Sequence, residues 1–145
     1  MTLEEVITRA KQLYPDLTLN PVTARKWTER GLLDRPEIQH LGGTQGNRAH
    51  YSVDAAAQMA TAGYMMELGY TQKQIAMSRR IVLEKVSMED AIRIAETGQL
   101  HDEVIGMINA ARIYAAALAK AKAGGILGSP ADPGSMKHKW QLSPH

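Results

Sequence analysis

Asn20-Pro21-Val22-Thr23-Ala24-Arg25-Lys26-Trp27-Thr28-Glu29-Arg30-Gly31-Leu32-Leu33 is the stretch that decides how the rest of this chain is read. Asn20 carries a side chain able to accept an orphan backbone N–H, and Pro21 takes the first helical position, where its missing N–H costs nothing. Gly31 supplies the left-handed residue that stops a helix, which leaves about three turns between them. At helical spacing Thr23, Lys26 and Arg30 share one face, Val22, Ala24 and Trp27 turn toward a core, and Arg25 borders the polar side. A cationic, hydrogen-bonding face suits phosphates and base edges. Taken alone, a solvated surface helix accounts for the same pattern equally well.

Two further blocks follow in order, Gly46-Asn47-Arg48-Ala49-His50-Tyr51 and Met66-Glu67-Leu68-Gly69-Tyr70-Thr71-Gln72-Lys73-Gln74-Ile75. With Thr23-Ala24-Arg25-Lys26-Trp27-Thr28-Glu29-Arg30-Gly31-Leu32-Leu33 they resemble the DNA-binding domain of the MerR family of transcriptional regulators, over roughly residues 20–80. In that family a Thr-x-Arg-aromatic-aromatic segment before Gly-Leu-Leu forms the recognition helix, Gly-x-Arg-x-Tyr lies in the wing, and Leu-Gly-aromatic opens the last helix of the domain. This chain departs at Lys26, which stands for the first aromatic, at Trp27, which stands for the second, in one extra residue before Tyr51, and in a longer first helix. The resemblance implies an all-α, mainly helical fold with a small β-hairpin wing: a winged helix-turn-helix followed by a C-terminal dimerisation helix.

Size and composition bound the rest. The chain has 145 residues, 44% hydrophobic and 22% charged, enough for one domain plus an accessory segment. Its net charge is only +2, from 17 Lys and Arg against 15 acidic residues, so local clustering rather than overall balance must carry any nucleic-acid reading. Cysteine is absent, which removes disulfides, thiolate metal sites and a cysteine redox switch from this chain. Neither a long apolar run nor a basic-then-apolar leader is visible, so the expectation is a cytoplasmic protein with no membrane partner.

Along the chain, Thr2 and Glu5 make a capping box for a first helix carrying Leu3, Val6, Ile7, Ala10, Leu13 and Tyr14, ended by Pro15 and Asp16. Leu17 and Leu19 anchor the connection to the recognition helix. Between Asp34 and Tyr51 helical periodicity stops, and Pro36 with glycines at 42, 43 and 46 fits a hairpin wing. In it Arg35 and Arg48 are candidates for phosphates flanking a groove, and Thr44, Gln45, Asn47 and His50 for added hydrogen bonds; an ordinary polar loop is the alternative. Ser52 is expected to cap a third helix bearing Val53, Ala56, Met59, Ala60, Gly63, Tyr64 and Leu68, with close packing at Ala56, Ala60 and Gly63 and a stop at Gly69. Thr71 and Gln74 cap a fourth, whose outer face offers Lys73, Arg79 and Arg80; a solvated face, or pairing of those arginines with Glu84, Glu89 or Asp90, is favoured over phosphate binding. Ser87 with Asp90 starts another helix, which Gly98 closes.

The longest periodic stretch, residues 101–123, places Val104, Ile108, Ala111, Ala115 and Leu118 at alternating spacings of four and three, a seam of about two heptads. Packing within the chain explains it. The resemblance, in which a long helix after the DNA-binding domain pairs two subunits, favours a homodimer instead. From Gly124 the composition turns to Gly, Ser and Pro, which predicts a flexible tail ending in Lys137, Lys139 and Trp140. The organisation expected is therefore 1–85 DNA-binding domain, 86–123 helical dimerisation or accessory segment, and 124–145 tail.

Little in the chain suggests catalysis. His40, His50, His101, His138 and His145 show no spacing with carboxylates that suits a metal, and neither a phosphate loop nor a nucleophile elbow appears. No enzyme, metal or cofactor is expected. The function expected is a sequence-specific regulator of transcription, binding double-stranded DNA as a homodimer on an inverted repeat and meeting the transcription machinery there. Lys26, Arg30 and Thr23 are its candidates for base edges, and Arg25, Trp27, Arg35, Asn47 and Arg48 for backbone positioning. Two alternatives stay open: an architectural DNA-binding protein of recombination or phage packaging, and a protein-interaction adaptor on a winged-helix scaffold.

Overall fold

A computed structural model describes residues 1–40, 47–84 and 101–128 of the chain. They form five helices and a two-stranded antiparallel hairpin: α1 (Leu3–Leu13), α2 (Pro21–Glu29), β1 (Glu37–His40), β2 (Asn47–His50), α3 (Ala55–Glu67), α4 (Gln72–Leu83) and α5 (His101–Lys122). The expected mainly helical fold with a small hairpin is what the chain adopts. None of the described helices is long and apolar enough to cross a membrane.

Local chemistry accounts for most helix ends. Thr2 and Glu5 exchange hydrogen bonds of 3.2 and 3.0 Å at the start of α1, and Thr71 and Gln74 repeat the device at α4 with 3.1 and 2.9 Å. At the far end of α2, Gly31 takes a φ of +81°, its N–H reaches Thr28 O and the Leu32 N–H reaches Trp27 O. That paired return satisfies two carbonyls the helix would otherwise leave bare, and only glycine enters it without strain. One end departs from expectation: α3 begins at Ala55 behind an uncapped Asp54, because the Ser52 hydroxyl is turned away to donate to Asp34 Oδ2 at 3.2 Å.

The helices pack around α3, whose residues Ala55 to Gly63 are buried without a break, so it runs through the middle rather than along a surface. α1 lies on one side of it and α5 on another, with α4 packed on both α3 and α5. Small residues allow the approach: a Cβ on Gly63 would stand 2.5 Å from Leu17 Cδ1 and 3.4 Å from Tyr14 Cδ2. Val53 is 81% exposed and lies outside the apolar stripe expected for it. The core gathers Leu3, Val6, Leu13 and Tyr14 from α1 and its end, Leu32 and Leu33 from the turn after α2, Met59 and Met65 from α3, Ile75 from α4, and Tyr114 and Leu118 from α5. Each such large side chain removed from water contributes about 1.5–3 kcal/mol before the entropy of ordering is deducted.

The segment after α5 corrects the expectation of a free tail beginning at Gly124. Gly124, with φ +84°, and Gly125 close α5 onto Ala121 O and Lys120 O, and the chain then turns back. The Leu127 N–H donates to Leu13 O at 2.7 Å and its side chain is 4% exposed. Composition alone missed this because a single leucine among glycines is enough to dock a short return. The helix expected from Ser87 to Gly98, and the tail from 129 onward with Trp140, lie outside the described residues.

Candidate nucleic-acid interface

α2 buries one arc and presents the other. Ala24, Trp27 and Thr28 are 0, 5 and 8% exposed, and the Thr28 hydroxyl donates to Ala24 O at 3.0 Å, so the inward arc is closed to solvent. Arg25, Lys26, Glu29 and Arg30 are exposed and Thr23 is half-buried. The Asn20 side chain accepts from Thr23 N at 2.9 Å, which fixes where the helix starts and hence which residues face out. Two expectations fail here. Trp27 packs in the core, as its spacing with Ala24 predicts, so the phosphate-positioning role expected of its indole fails. Val22, placed with the core on spacing, lies on the opposite arc and is 58% exposed.

Arg30 stands at the helix end, where its Nη1 donates to Gln72 Oε1 at 2.6 Å across to the start of α4. That bond aims the guanidinium along an open cleft of about 510 Å³, lined by Arg30, Arg35, Lys73, Arg80, Met77 and Glu84 among others. Arg35 and Lys73 are exposed, and Arg80 pairs with Glu84 at 3.6 Å on a half-exposed side chain. Cations from three separate elements therefore share one concave surface beside α2. Lys73 and Arg80 belong with the candidate residues. The sequence showed them as cations, but their placement depends on how α4 packs.

The hairpin follows directly. Its register pairs Glu37 with His50, Ile38 with Ala49, Gln39 with Arg48 and His40 with Asn47, and Arg48 is exposed. Asn47 holds a strand position, while its side chain and the tip at 41–46, including Thr44 and Gln45, lie outside the described residues.

One group of side chains fixes the base of the hairpin. Arg79, 8% exposed rather than on the outer face expected for it, binds Asp34 through Nη2 and Glu84 through Nη1, the latter at 3.0 Å. Asp34 is further held by Ser52 and, through its backbone N–H, by the buried Gln58 Oε1 at 2.7 Å. Pairing of Arg79 and Arg80 with Glu84 follows the sequence expectation; the Asp34 partner does not, since 45 residues separate it from Arg79. Burial pushes the Asp34 carboxyl up, but hydrogen bonds from Arg79, Gln58 and Ser52 and the guanidinium charge outweigh it and hold the group below its ordinary value.

Compared with protein-family models, curated proteins and solved structures, the chain matches none. Among the described residues no cluster of three or more His, Asp or Glu is placed to hold a metal ion. The seam residues divide: Ala111 and Leu118 are 6 and 4% exposed, Ile108 is half-buried, Ala115 is exposed, and the side chain of Val104 lies outside the described residues. Ala111 and Leu118 are thus spent within the subunit, on the same arc as Ala110, Tyr114, Ala117 and Ala121, which faces α3 and α4.

Proposed function

We propose that this chain binds double-stranded DNA in a sequence-specific manner and regulates transcription, with α2 entering the major groove and the hairpin lying along adjacent backbone. The observation that carries the reading is the segregation of α2. Ala24, Trp27 and Thr28 close its inner arc, while Arg25, Lys26 and Arg30 stand outward beside a cleft lined by Arg35 and Lys73. A solvated helix needs no such continuation of its charge onto two neighbouring elements. The likeness of the three sequence blocks to MerR regulators supports the same reading.

Lys26, with Thr23 beside it, takes the base-edge role; Arg25, Arg30, Arg35, Arg48 and Lys73 position the backbone. Arg30 serves better as a positioning group than as a base reader because Gln72 draws its guanidinium toward the cleft. A homodimer on an inverted repeat belongs to this proposal, with pairing through the part of α5 that remains accessible, Ile105, Ile108 and Ala115.

Binding of genomic duplex fragments to the full chain, followed by fluorescence anisotropy over a salt series, tests the reading. Arg25→Ala should weaken all duplexes and flatten the salt slope by about one counterion, whereas Lys26→Ala should change sequence preference by about 1–3 kcal/mol. Unchanged isotherms for both variants would overturn it. A second reading, an architectural DNA-binding protein acting without a dimer, is favoured by the burial of Ala111 and Leu118 inside one subunit. A monomeric mass on DNA by light scattering, with the footprint at a recombination or packaging site, would select it.

A further inference from the structure

Val22 is the exposed large hydrophobic residue on α2, and neither the core nor the helix gains from it. At about 100° per residue, the buried arc of Ala24, Trp27 and Thr28 puts Val22 at the centre of the opposite face, with Arg25, Lys26 and Glu29 around it. It is 58% exposed, and a β-branched residue is a poorer helix former than alanine, which would also leave less apolar surface in water. Among the described residues, the other exposed large hydrophobics, Ile38, Val53, Ile105 and Ile126, lie on other segments.

We infer that Val22 is a specificity-determining residue that packs its methyls against the C5-methyl of a thymine in the major groove. The inference rests on the DNA-binding reading above and names what one position of that site recognises. Valine has neither donor nor acceptor, so phosphates and polar base edges offer it nothing. The thymine methyl is the apolar group that the major-groove floor presents, and the first turn of a groove-docked helix is the part that meets base edges. Arg25 and Lys26, one turn further on, hold the helix against the duplex by charge while Val22 excludes water from the methyl. Its stiff χ1 leaves little rotamer freedom to lose on contact.

The test is affinity selection of random duplexes with the full chain and with Val22→Ala, followed by titration of the selected site carrying either thymine or deoxyuridine at each position. Alanine is tolerated at an exposed helical position, so the variant folds. The wild type should enrich a thymine whose replacement by deoxyuridine costs about fourfold in affinity, the worth of one methyl removed from water. Val22→Ala should bind thymine and deoxyuridine alike there and lose the enrichment, while preferences at other positions stay. If both proteins enrich the same motif, or deoxyuridine costs both the same factor, the inference is overturned and DNA recognition stands. If neither retains any duplex at low salt, the DNA-binding reading itself falls, and this assignment with it.

Discussion

Arg79 is a guanidinium that has left water for two carboxylates, and its neighbours set the pH range in which the hairpin base holds. Asp34 titrates below its unfolded value of about 3.9, so its contribution to stability is fully present above that pH and is lost as pH falls through the lower folded value. Acid titration of unfolding should therefore show a loss of stability below about pH 4 that Asp34→Asn removes in part. At neutral pH Asp34→Asn leaves the nearly buried Arg79 with Glu84 as its remaining carboxylate partner and should cost about 1–3 kcal/mol in urea unfolding, less than a fully buried pair because the Asp34 side chain is 35% exposed. Arg79→Ala, which removes both ion pairs and the buried stem of the side chain, should cost more than Asp34→Asn; a smaller loss would show that the hairpin base is held by something other than this guanidinium. Of these partners only Glu84 was legible in the sequence. An aspartate after Leu33 and an arginine on α4 carry no signal of each other, and Arg79 looks like any surface cation until the packing of α4 turns it inward.

Elements whose ends rest on neighbours in sequence were legible, and elements whose ends rest on distant contacts were not. The capping boxes of α1 and α4 and the glycine stop of α2 involve groups three to five residues apart, so the pattern contains the whole cause. Ser52 misled because a hydroxyl suited to cap a helix was taken by Asp34, 18 residues away. On α2 the outward cations Arg25 and Lys26 and the inward Ala24 and Trp27 were read correctly from spacing, but Val22 was not. A nine-residue helix has few apolar positions, and the extent of the arc is fixed only once its packing is seen. The packing of α3 on α1 yields a prediction at this scale. Gly63→Ala gains about 1 kcal/mol of helix propensity but drives a methyl into Leu17, itself 6% exposed, where overpacking costs about 1–3 kcal/mol. The variant should unfold at lower urea than the wild type, and Leu17→Ala in the same chain should recover part of that loss.

At the scale of the whole molecule, the described helices close one core without help from a partner, which is why a seam that looked intermolecular in the sequence is partly intramolecular. Periodicity reports that a face is apolar, not which surface covers it. Leu118→Ala should lower stability by about 2–4 kcal/mol at any protein concentration, whereas Ile105→Ala, exposed, should act only on self-association measured by light scattering. The return after α5 makes the matching prediction. Leu127→Ala should cost about 2–4 kcal/mol, with Ile126→Ala, 59% exposed, within about 0.5 kcal/mol of wild type in the same urea titration. The hydrogen bond from Leu127 to Leu13 also joins the opening helix to a segment made more than a hundred residues later. On the ribosome, α1 emerges long before Leu127 and must wait for that residue before its end is covered. A nascent chain halted short of Leu127 would keep an apolar edge open to chaperones, and this core should close only once that residue has emerged.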